Sequence, residues 1–220
     1  IEDLAVGAAI LGAGGGGDPY VGKLMAIQAI KKYGEVTLLD PTEVPDDALV
    51  IPTAMMGAPT IMVERIPGGE EALKALRKLE EYLGEKAYAT MPIESGGINS
   101  TIPFNVAARA RLPVVDADGM GRAFPELQME TFHIYGLKGT PMVIYDERLD
   151  FCIVETVDNF TAQALAEGDV KVGVGIAPTP RRAVALSTEA LMIIRRGGAK
   201  HRSLKLVLEQ RDRRESSTPA

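Results

Sequence analysis

Pro113-Val114-Val115 is a short apolar run that stops abruptly at Asp116, and the next residues up to Glu126 read DADGMGRAFPE. A buried strand that ends in a polar, glycine-containing loop behaves this way. Asp116, Asp118, Arg122 and Glu126 fall within eleven positions, so one loop carries three carboxylates and a guanidinium. Open α/β sheets bind ligands outside the carboxyl ends of their strands, which makes this loop a candidate site. The competing account is an acidic turn that caps the following helix.

The rest of the chain fits a sheet of that class. Glu2 and Asp3 precede the apolar run Leu4 to Leu11 and suit the first turn of a short helix. Gly14, Gly15, Gly16 and Gly17 then form an unbroken glycine run ahead of Asp18 and Pro19. Each glycine costs about 1 kcal/mol inside a helix or strand, so the run predicts a backbone of special shape or one that lies very close to something else. A second helical pattern follows from Val21 to Tyr33. A dinucleotide fingerprint can be forced on Gly12, Gly14 and Gly17, but a helical pattern precedes it where a strand is required, and the Walker lysine pair is absent. A pocket wall for a small anionic or polar ligand and a structural turn both remain open.

Val36 to Leu39 and Leu49 to Ile51 are β-prone, and Gly69 to Leu83 is an amphipathic helix with Leu73, Leu76, Leu79 and Leu83 facing the core and Lys74, Arg77, Lys78 and Glu81 facing water. Lys86 to Met91 is a strand that delivers PIESGGINS, residues 92–100, a loop bearing Glu94, Asn99 and Ser100. It runs into a helix from Ile102 to Ala110 that Ser100 or Thr101 would cap. Strands are expected again at Pro141 to Tyr145 and Phe151 to Val157. The expected fold is therefore α/β: a layered sheet with flanking helices over residues 1–140, the start of a β-rich second lobe over 141–167, and a basic tail over 168–220.

With 220 residues and 46% hydrophobic content the chain can bury a substantial core. A net charge of −6 argues against a nucleic-acid surface, no apolar run is long enough for a membrane span, and a single cysteine, Cys152, excludes an intrachain disulfide and a thiolate-rich metal site. A reducing cytoplasm is the natural expectation, with Cys152 an inert core residue and His133 a hydrogen-bonded structural histidine or a ligand.

GAGGGGDPY at 12–20, PIESGGINS at 92–100 and DADGMGRAFPE at 116–126 together resemble the S-methyl thiohydantoin desulfurase family, over about residues 3–165. The resemblance implies an α/β amino-terminal domain followed by a β-rich domain, association with hydantoinase or oxoprolinase systems, and hydrolytic loss of a sulfur substituent from a five-membered hydantoin-like ring. From about Gly168 the sequence departs from the family, and Arg181 to Arg214 carries ten Lys or Arg residues, which points to a truncated or altered second lobe.

Hydrolysis at a ring carbon needs a base for water and donors for the developing charge. Glu94, Asp118 and Glu126 are the candidate catalytic carboxylates; Gly14, Gly15, Gly16, Gly17, Asp18, Asn99, Ser100 and Arg122 are the candidate ligand-binding residues. A divalent metal held by Asp116, Asp118, Glu126 and His133 would also activate water. The expected partner is a small ring compound, with a second copy of the chain or a hydantoinase-type protein as further partners. The alternative function is a noncatalytic ligand-binding or regulatory subunit.

Overall fold

A computed structural model describes residues 1–13, 15–56, 68–146 and 148–166. Gly14 and the basic tail from 168 onward therefore lie outside the described residues. Helix α1 spans Glu2–Leu11, with both acids in its first turn, where the helix dipole favours them. Helix α2 spans Pro19–Tyr33: Asp18 is its N-cap and accepts from the Tyr20 N–H at 2.8 Å, Pro19 starts it, and Lys31 and Lys32 occupy its last turn. Strands β1 (Leu38–Leu39), β2 (Val50–Thr53), β3 (Ala89–Pro92) and β4 (Val114–Val115) form one sheet. Its order is β1-β4-β3-β2 and every pairing is parallel.

Helices α3 (Glu71–Leu83) and α4 (Ile102–Ala110) make the crossovers β2 to β3 and β3 to β4. Pro52 sits on β2, an edge strand, where its missing N–H costs no ladder bond. One face of the sheet is covered by a cluster of Ile51, Leu76, Ala87, Ile98, Ile102 and Val106, and the other by Ala89, Met91 and Val115 with Val44, Ala117 and Phe132 packed against them. The strands thus deliver their carboxyl ends, and the loops that follow them, from a sheet buried on both sides.

Two details depart from the expected pattern. Leu83 is 41% exposed: it is the last residue of α3 before the left-handed Gly84 and lies beyond the core that takes up Leu73, Leu76 and Leu79. Glu80, one turn after Leu76, takes the inward position instead. Its buried carboxylate accepts from Arg77, from Lys86 Nζ at 3.0 Å and from the Ala87 N–H at 3.0 Å. Burial opposes its charge, but these donors outweigh the burial and hold its pKa below the ordinary value. At α4, Thr101 stands at the N-cap without capping: its hydroxyl donates backward to the Ile98 carbonyl at 2.8 Å.

After β4 comes a long loop, then the four-residue helix α5 (Thr131–Ile134), the antiparallel hairpin β5 (Met142–Tyr145) and β6 (Phe151–Val154), and helix α6 (Asn159–Ala166). The hairpin packs on α3, where Lys78 Nζ lies 5.0 Å from the centre of the Phe151 ring and the Tyr82 hydroxyl donates to Glu155 at 2.8 Å. Val154 and Leu165 form a small core with Met142, Ile144 and Cys152. Burial raises the Cys152 thiol above its ordinary pKa, which keeps it protonated and inert. No helix among the described residues is long and apolar enough to cross a membrane.

Candidate functional site

Three loops meet at the carboxyl end of the sheet. The glycine loop between α1 and α2 joins the loop after β3 through Ile98 N–H to Gly16 carbonyl, at 2.6 Å. It joins the loop after β4 through Ala123 N–H to Leu11 carbonyl at 3.2 Å and Arg122 Nη2 to Ala13 carbonyl at 3.1 Å. The two strand-end loops join each other through Gly119 N–H to Ile93 carbonyl at 3.0 Å and Phe124 N–H to Glu94 Oε2 at 3.2 Å. Segments about a hundred residues apart in the chain thus share one end of the fold, as a parallel sheet allows.

The glycines follow from this approach. Gly16 has φ +79°, and a Cβ on it would lie 2.5 Å from Gly96 Cα. A Cβ on Gly97 would lie 2.1 Å from the Gly17 carbonyl oxygen. Main chain packs on main chain here, so the run serves a close approach between two loops of the same protein. Gly15 approaches the Ala123 methyl, and Asp18 is occupied as the cap of α2.

Glu94 is the carboxylate at the junction, and it is buried rather than a surface acid. Both its oxygens accept: Oε1 from Asn99 Nδ2 at 2.7 Å, Oε2 from Phe124 N–H. Asn99, also buried, exchanges a second pair of bonds with the main chain of Met55, just past β2. Ser100 is buried at the entry to α4.

The β4 loop residues are placed differently. Asp118 Oδ2 accepts from the N–H groups of Met120 and Gly121 at 2.9 and 2.6 Å, so it shapes its own turn. Arg122 is exposed, lies over the Phe124 ring at 5.3 Å, and pairs with neither Asp116 nor Glu126. Asp116 is exposed, Glu126 is engaged by Gln128 Nε2, and His133 Nδ1 meets Asn159 Nδ2 at 3.2 Å. Among the described residues no group of three or more His, Cys, Asp or Glu is arranged to hold a metal ion, so Asp116, Asp118, Glu126 and His133 do not converge as a ligand set. Each is held by its own local hydrogen bonds or faces solvent.

Sequence reasoning missed Glu130. It is 3% exposed, its Oε1 has no hydrogen-bond partner, and burial, with the charge of Glu94 second, raises its pKa to about 7. A glutamate between Met129 and Thr131 carries no mark that separates it from the solvated majority. A cavity of ≈ 470 Å3 lined by Tyr33, Thr37, Tyr88, Arg111 and Pro113 lies at the opposite, amino-terminal end of the strands, away from all of these residues.

The family model described as S-Me-THD-like, N-terminal domain, matches residues 1–156. No curated protein matches the chain. Among solved structures, the crystal structure of a protein from Chromobacterium violaceum is similar, with 30% sequence identity and a TM-score of 0.60 over 70% of this chain. The alignment covers 43% of that protein, so the chain spans under half its length. On its sequence motifs, its parallel sheet and the extent of the match, the chain belongs to the S-Me-THD-like family and carries its amino-terminal domain.

Proposed function

We propose that this chain contributes the acid–base side of an enzyme that removes the sulfur substituent of an S-methyl thiohydantoin-like ring by hydrolysis. The observation that carries the proposal is Glu94: a buried carboxylate at the junction of three loops, with both oxygens held by N–H donors. A base fixed in this way is oriented before substrate arrives, which is the arrangement general base catalysis requires. Of the three candidate carboxylates it fits the role best, because Asp118 is committed to its own turn and Glu126 is engaged by Gln128.

In the reaction, Glu94 accepts a proton as water oxygen bonds to the ring carbon, and the carbon–nitrogen π pair moves to the ring nitrogen. The carbon–sulfur bond then breaks. Of the two water protons, one ends on the ring nitrogen and one on the departing sulfur, giving a hydantoin and methanethiol. Arg122, on the exposed rim, can hold a ring oxygen with a planar fork of donors.

The test is release of methanethiol from S-methyl thiohydantoins, with hydantoins as controls and with and without added divalent cations. Glu94→Gln should lower turnover at least a hundredfold; its amide offers one acceptor to the two N–H donors that hold Glu94, so a loss of about 1–3 kcal/mol in stability is expected beside it, and turnover is compared at a temperature where both proteins are folded. Binding of the ring compound without turnover would instead make the chain a noncatalytic subunit. Undiminished turnover in Glu94→Gln would remove Glu94 from the chemistry.

A further inference from the structure

We propose that Glu130 is the proton-holding partner of Glu94, the two buried carboxyls sharing a single proton at the loop junction; its catalytic consequence rests on the hydrolytic reading given above. Glu94 and Glu130 are 6% and 3% exposed, and they come from different segments, the loop after β3 and the start of α5, which Gly119 ties together: its N–H donates to the Ile93 carbonyl at 3.0 Å and its carbonyl accepts from the Thr131 N–H at 2.7 Å. Their surroundings divide the donors unequally. Glu94 receives two N–H bonds, whereas Glu130 Oε1 receives none.

No cation offsets the pair among the described residues. From the β4 loop, Arg122 is turned to the Ala13 carbonyl, while Asp118 and Glu126 are acids. On α5, His133 is engaged by Asn159, and α6 has no ionisable side chain. Two like charges buried in adjoining segments without a counter-ion oppose each other's ionisation, so one proton is retained up to about neutral pH. It resides on Glu130, because a carboxylate without donors is the costlier anion, and a neutral carboxyl can itself donate from that position. During turnover Glu130 gives this proton to the leaving sulfur, the proton that Glu94 took from water passes to Glu130, and the second water proton ends on the ring nitrogen, so the pair ends each cycle as it began.

The experiment has two arms. In the first, the glutamate side-chain carboxyl carbons are labelled with 13C and titrated by NMR in the parent, in Glu130→Gln and in Glu94→Gln. One resonance should titrate near pH 7 in the parent, vanish in Glu130→Gln, and move toward the ordinary glutamate range in Glu94→Gln. If every glutamate titrates in the ordinary range, or the raised one ignores Glu94→Gln, the pair is refuted. The second arm measures the pH dependence of methanethiol release. Glu130→Gln should lose tenfold or more in kcat with little change in KM and should lose the alkaline limb near pH 7, which Glu130→Asp should partly restore. A parent that turns over no thiohydantoin refutes the hydrolytic reading while the first arm still decides the pair. Turnover with an unchanged profile in Glu130→Gln refutes the catalytic use of the pair.

Discussion

Gly97→Ala tests the loop junction directly. The added Cβ would lie 2.1 Å from the Gly17 carbonyl oxygen, 2.8 Å from Pro19 Cδ and 2.9 Å from Pro19 N, where ordinary contact begins at 3.4 Å. Two of the three obstacles are backbone and the third is a proline ring, so no flexible side chain can rotate away. The loops must part by roughly an ångström, which puts the Ile98-to-Gly16 hydrogen bond and its neighbours at risk. Overpacking of this kind costs about 1–3 kcal/mol, and a weakened hydrogen bond adds about 1 kcal/mol, so about 3 kcal/mol is expected. Gly7→Ala is the control. It lies in α1 with nothing within 4 Å of its added Cβ, and it should gain up to about 1 kcal/mol from helix propensity. Urea denaturation of both variants reads the difference. A Gly97→Ala protein as stable as the parent would show that the glycine loop and the β3 loop do not touch in the manner described.

Two further outcomes follow from buried carboxylates. Glu80→Ala strands the Ala87 N–H and unpairs Arg77 and Lys86, and should cost about 3 kcal/mol by urea melts; a loss under about 1 kcal/mol would mean the cluster contributes little. For Glu130, the folded pKa of about 7 lies above the ordinary 4.5, so the folded state holds its proton longer than the unfolded state. The stabilisation is complete below pH 4.5 and is lost as pH rises through 7, a fall on the order of 3 kcal/mol at about 1.4 kcal/mol per unit. Glu130→Gln should remove that slope and gain on the parent steadily between pH 4.5 and 7. Parallel stability curves for the two proteins would contradict it.

The elements were legible in the sequence where pattern and burial agree. The leucine stripe of α3, the Ile102–Ala110 helix and the strand ending at Val115 each carry a periodicity that survives folding. That the loops after β3 and β4 lie side by side follows from parallel strands, which present their ends together, whereas the glycine loop joins two helices and reaches them through the close main-chain approach of Gly16 and Gly97. What escaped was the identity of the buried acids. Glu80 and Glu130 are ordinary glutamates in sequence, and only tertiary contacts separate them from Glu81 or Glu126. Asp118 carries a related ambiguity: an Asp before Gly-Met-Gly satisfies its own turn, and sequence alone does not distinguish that use from a catalytic one.

Asn99 latches two structures together. Its oxygen accepts from the Met55 N–H, and its amide nitrogen donates to the Met55 carbonyl and to Glu94. Each of its two amide hydrogens therefore has a partner, with none to spare. A displacement of Met55 cannot leave Glu94 untouched: either Asn99 follows the strand outlet and abandons the acid, or it stays and leaves two main-chain groups of Met55 unmatched. The position of the chain leaving β2 is thereby reported to the loop junction through a single side chain. Whatever presses on residues 54–56 presses, one amide away, on Glu94.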